Sequence, residues 1–221
     1  MKNQVTSSTL PTAARFQGWT TRAALLASLL LTLGSSLPAN GGLAPQPPGS
    51  HSFGRTLAQW QATWLAWALG DLALPTDTHG NALVNNVVQM AIPNTAGDGT
   101  PGSINITLDS GEAFVVPLIL ITGRTTDPMI SLNDFRNMTL KLTLDGVTIL
   151  DSGDALRFYT QTSFSPPLSL GIAWVQGLSI AHTPLPVGQH VLKLDEKIVI
   201  PERGTTEEFH NTLNITVVPA G

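Results

Sequence analysis

From Pro75 onward the chain is a succession of short β-branched and apolar segments cut apart by Gly, Pro, Asn and Asp, which leaves little room for helix. Nine segments have strand character: 84–92, 103–108, 112–121, 138–144, 147–150, 155–160, 172–181, 190–200 and 211–218. The strongest local signal is Asp145-Gly146. Leu140, Leu142 and Leu144 alternate into it, and Val147 and Ile149 alternate out, as a two-residue type I′ hairpin requires. The segments do not alternate with helical patterns, and no repeat of fixed period is present. The expected fold is therefore mostly β, a β-sandwich of jelly-roll or immunoglobulin-like type.

One helix is expected ahead of the strands, over about 56–69. Thr56 and Gln59 form a Thr-x-x-Gln capping box, and Leu57, Trp60, Trp64 and Trp67 follow at helical spacing on one face. Gly70 supplies the stop and Pro75 prevents resumption. Residues 40–52 are rich in Pro and Gly and read as a linker, so the folded domain is expected over 53–221.

Residues 1–39 read as a secretory signal peptide. Arg15 and Arg22 precede the uncharged apolar run 23–33, and small residues follow, with cleavage after Ala39 or at the small-x-small pair Gly34 and Ser36 as the two choices. Eleven helical residues span about 16 Å, roughly half a hydrocarbon core, which suits an export signal and not an anchor. The expected location is secreted or periplasmic, with no stable membrane insertion after cleavage. The chain has no cysteine, which excludes disulfides, thiolate metal sites and the lipoprotein type of lipid attachment at the leader. Without the leader, eight basic residues face fifteen acidic ones, a net charge of −7. No Lys/Arg cluster follows the leader, so nucleic acid is not an expected partner.

Four segments resemble an uncharacterised family of secreted bacterial β-rich proteins: Phe53-Gly54-Arg55 with the tryptophan helix and Asp77-x-x-Gly80, Ser110 to Phe114 leading to Pro117, the Leu-Asp-Gly hairpin with Arg157, and Leu185-x-x-Gly188-x-His190-x-Leu192. The resemblance covers roughly 53–218. It implies a secreted β-rich fold and carries no established activity.

The candidate sites are few. Trp60, Trp64, Trp67 and Trp174 are candidate sugar-stacking rings, against the alternative that each is core. Asp77, His79 and His190 are the candidate catalytic residues; with His210 as a further imidazole they supply oxygen and nitrogen donors, but their spacing matches no metal motif, and neither metal nor cofactor is expected. Glu207-Glu208 reads as a solvated loop. Three Asn-x-Thr sequences, at Asn105, Asn137 and Asn214, fall in strand regions and read as composition. The function expected from this pattern is a non-enzymatic surface or binding module for carbohydrate or a protein partner. A hydrolase or metal-dependent enzyme using Asp77, His79 and His190 is one alternative, and a self-assembling structural protein is the other.

Overall fold

A computed structural model describes residues 44–201 and 204–221. The expected leader and the start of the linker lie outside the described residues. Ten strands form two five-stranded sheets. The first sheet has the order β1 (Leu83–Val84), β2 (Val87–Gln89), β4 (Ala113–Gly123), β8 (Trp174–His182), β7 (Tyr159–Ser163). The second runs β3 (Asp98–Asp109), β10 (Thr205–Val218), β9 (Gly188–Ile200), β5 (Thr139–Leu144), β6 (Val147–Asp151). The chain crosses between sheets repeatedly, and two neighbouring pairs, β2 with β4 and β3 with β10, run parallel. The expected β-sandwich is the observed architecture.

The capping box forms as its spacing demands. Thr56 Oγ1 accepts from Gln59 N and Gln59 Oε1 accepts from Thr56 N, and α1 runs from Leu57 to Ala68. The hairpin at Asp145-Gly146 also forms, with both residues at positive φ (52° and 79°) and Leu144 opposite Val147. Three expectations fail for local reasons. The expected strand 84–92 is split into β1 and β2 by a tight turn at Asn85-Asn86, where both residues take positive φ (49° and 63°). Residues 155–158 are helical, because the Asp151 side chain accepts from Gly153 N and starts the short α3 (Ser152–Ala155), which continues as a 3₁₀ turn before β7. The short α2 (Leu132–Arg136) was not expected, since five residues are too few to express a helical period.

Burial separates the two sheets. Every residue of β8 and most of β4 is buried, because one face meets the other sheet and the opposite face meets α1. In β9 the residues alternate, with Leu192, Leu194, Ile198 and Ile200 inside and Gln189, Val191, Lys193 and Lys197 outside. A strand covered on both faces reads as a continuous apolar run, and a strand covered on one face reads as alternation. The outer face of the second sheet is thus the uncovered one.

Glu196 breaks the alternation. It occupies a core-facing position of β9, opposite Leu140 and Phe209, and is 3% exposed. Neither carboxylate oxygen has a hydrogen-bond partner among the described residues. Burial pushes its carboxyl well above the ordinary 4.5, and the charge of Glu207 adds to the shift. The folded chain holds this proton more tightly than the unfolded chain does. Glu196 therefore costs nothing electrostatically in acid and destabilises increasingly as pH rises above 4.5 toward its folded value.

Two outcomes follow. Glu196→Leu is expected to raise unfolding free energy by about 1–3 kcal/mol at neutral pH, with the gain shrinking below the ordinary carboxylate range. Urea denaturation of both proteins at the two pH values checks this; an equal gain at both contradicts it. Trp64→Ala is expected to cost about 3–5 kcal/mol in the same assay, as a truncated core side chain does.

Candidate functional site

The tryptophans are structural. Trp60 is fully buried between α1 and the first sheet, its indole N–H donating to Ser52 O at 2.9 Å and the Arg55 guanidinium lying 5.1 Å from the ring centroid. Trp64 is buried beside Ile172 and Val175 and donates to Met90 O at 2.8 Å. Trp67 is half-buried and meets Trp64 edge-on at 6.2 Å. Trp174 lies against Gly123, where a Cβ would come within 2.0 Å of the ring, and donates to the carbonyls of Arg124 and Asp127. The stacking surface considered for Trp60, Trp64, Trp67 and Trp174 is therefore not formed. Three rings are core, and the fourth is packed against one of them.

Asp77, His79 and His190 are not assembled into one site. Asp77 closes its own turn: Oδ1 accepts from the N–H groups of His79 and Asn81, and Oδ2 accepts from Asn81 Nδ2. His79 Nε2 meets Asp109 Oδ1 at 3.1 Å. Asn81 Nδ2 also donates to Thr107 O, so this turn is fastened to the end of β3. Next to it Glu112 accepts from Asp109 N at 2.8 Å, and burial, together with the charges of Asp77 and Asp109, raises its carboxyl. His190 belongs to a different cluster. Its Nδ1 meets Asp145 Oδ2 at 2.7 Å and its Nε2 meets Pro186 O at 2.9 Å, while Asp145 Oδ1 accepts from Val191 N. Both ring nitrogens are engaged, and the pair ties the Asp-Gly hairpin to β9. Among the described residues no group of three or more His, Asp or Glu side chains is placed to hold a metal ion.

What the structure does assemble is the outer face of the second sheet. Glu207-Glu208 is not a loop there: β10 begins at Thr205 and pairs with β9 along its length, because Phe209, Leu213, Ile215 and Val217 alternate with polar residues. The alternation was present in the sequence but was obscured at its start by two adjacent acids.

Rows of side chains cross this face from strand to strand. Ser103 lies beside Thr212, Asn105 beside Asn214 and Thr107 beside Thr216, so the stretches 103–108 and 212–217, which share Asn-Ile-Thr, stand in parallel register. Asn214 Nδ2 donates to Asn105 Oδ1 at 3.0 Å and to Ser103 Oγ at 3.2 Å, and Thr216 Oγ1 donates to Gln189 Oε1 at 3.1 Å. Two of the three Asn-x-Thr sequences therefore sit side by side on the bare face.

Toward the other end of β10 the rows become charged. His210 bridges Asp195 Oδ1 (2.8 Å) and Glu208 Oε1 (3.2 Å); Lys193 pairs with Asp195 at 3.4 Å and Lys197 with Glu208 at 3.5 Å. The hydrogen bond to Asp195 raises the His210 imidazole above 6.5; burial opposes it, and Glu208 adds to the rise. Partial burial works to raise Asp195, and the contacts from His210 and Lys193 outweigh it and hold the carboxyl below its ordinary value. The favourable pairing is complete between these two ranges. It fades in acid as Asp195 protonates and in base as His210 loses its proton.

No protein-family model matches this chain, and none of the curated proteins does. Among solved structures, the chain is similar to one in the structure of PbICP-C in complex with falcipain-2, at 11% identity and a TM-score of 0.26, covering 60% of this chain and 98% of that one. It is also similar to the CooA pilin subunit from enterotoxigenic Escherichia coli, at 11% identity and a TM-score of 0.18, covering 55% of this chain and 92% of that one. Both are weak likenesses, and the fold assignment rests on the two sheets themselves.

Proposed function

We propose that this chain is an exported, non-enzymatic binding module that holds carbohydrate on the outer face of its second sheet. Export is read from the leader pattern in residues 1–39. The observation that supports binding is the asymmetry of the sandwich. Helix α1 covers one outer sheet face, while the other presents amides, hydroxyls and charged groups in cross-strand rows. Asn, Thr and Gln side chains offer donors and acceptors together, as a hydroxyl-rich ligand requires. Such recognition needs no aromatic platform, so it is compatible with the buried tryptophans.

The purified protein probed on a glycan array is expected to bind a defined saccharide class. Asn214→Arg and Thr212→Arg, placed on the face, are expected to weaken that binding about tenfold or more. Thr126→Arg, in an exposed loop away from it, is expected to leave binding unchanged. A blank array, or equal binding by all three variants, contradicts the reading.

A further inference from the structure

At one point the uncovered face sinks into a depression of about 240 Å³, where β5, β9 and β10 lie side by side. Its walls include Thr139, Lys141, Asp195, Lys197, Glu208 and His210. The volume lies just below the range of about 300–1,000 Å³ typical of small-molecule clefts, which suits a single sugar ring.

The charges in it are unevenly satisfied. A neutral imidazole has one donor nitrogen, yet both nitrogens of His210 face carboxylate oxygens, so the observed geometry is that of the imidazolium. Asp195 is then neutralised by His210 and Lys193, and Glu208 by His210 and Lys197. Lys141 lies directly across from Asp195 but makes no ion pair among the described residues. Its neighbour on the other side, Asp151, directs a carboxylate oxygen to Gly153 N at 2.9 Å, at the start of α3. The depression therefore combines an ammonium lacking a carboxylate, a free-standing hydroxyl at Thr139 and two carboxylates with lone pairs to spare. This is a local positive surplus on a chain whose net charge is −4.

We infer that the depression binds the carboxylate-bearing ring of an acidic saccharide, with Lys141 holding the carboxylate and Asp195, Glu208 and Thr139 receiving ring hydroxyls. This rests on the reading of the outer face as a carbohydrate site and names its ligand class. His210 sets the charge of the site. When it loses its proton, one ring nitrogen becomes an acceptor aimed at a carboxylate, the bridge between Asp195 and Glu208 opens, and the positive surplus disappears. The titratable and charged groups around it are Lys193, Asp195, Lys197 and the buried carboxyl of Glu196 on β9, Glu208 of its own strand, and Lys141 and Asp151 beyond; on the β3 side its neighbour is the uncharged Pro101.

The test is calorimetric titration of the full chain with trigalacturonate and with its neutral methyl ester, at about pH 5.5 and about pH 8.5, on either side of the imidazole range. The acidic trimer is expected to bind about tenfold more tightly than the ester at the lower pH and to lose that advantage at the higher one. Lys141→Met, at an exposed position, is expected to remove the preference, Lys141→Arg to retain it, and His210→Gln to abolish its pH dependence. Equal binding of both trimers, unaffected by Lys141→Met but weakened by Asn214→Arg, overturns this inference and leaves the carbohydrate reading standing. Binding of neither trimer, with a blank glycan array, overturns both.

Discussion

The contact on which the architecture depends is the seating of α1 on the outer face of the first sheet. Trp60 and Trp64 carry it, each with its ring buried and its indole N–H satisfied by a backbone carbonyl. A buried ring of this size covers about 150–250 Å², and the polar edge would be costly without an acceptor. A small polar network fixes where the helix sits. The fully buried Gln61 accepts from Thr160 Oγ1 at 2.6 Å and donates to Ser179 Oγ at 3.4 Å, which sets the helix over β7 and β8. Hydrophobic contact alone is non-directional; these bonds give it a register.

Once one sheet is covered on both faces, the other is left with a single core face and a single open one. The open sheet ends in strands that require protection, and β3 is the long edge. Its chain carries Pro101, its carbonyl at Thr107 is occupied by Asn81, and its carbonyl at Thr100 accepts from Asn94 Nδ2. These local devices leave the face, more than the edge, as the accessible surface. The same logic explains the histidine clamps. His79 fastens a turn to β3, His190 fastens a hairpin to β9, and His210 holds β10 to β9 through Asp195 while also meeting Glu208 of its own strand.

Much of this was legible in the chain. The capping box, the tryptophan spacing and the Asp-Gly hairpin are local signals, and each produced its element because backbone geometry and nearby hydrogen bonds decide them. The continuous apolar run of 113–121 and the alternation of 188–200 also carried the difference between a doubly and a singly covered strand. The pairing partners were not legible. Nothing in 103–108 alone says that it lies parallel to 212–217, although the repeated Asn-Ile-Thr hinted at equivalence. The candidate residues drew attention to histidines and carboxylates close in sequence, whereas His210, Asp195 and Lys141 meet only through cross-strand register. Glu196 was hidden for the same reason. Only the phase of β9 against its neighbours turns it inward.

The open face of the second sheet is where we propose that this protein meets its ligand. Backbone NMR shift mapping of the isotopically labelled full chain during addition of a bound saccharide tests it most directly. The perturbed amides are expected to cluster on β5, β9 and β10, around Lys141, Asp195 and His210, and to extend toward Asn214. Perturbations confined to α1, to the turn of Asp77 and His79, or to the surroundings of Trp174 contradict it.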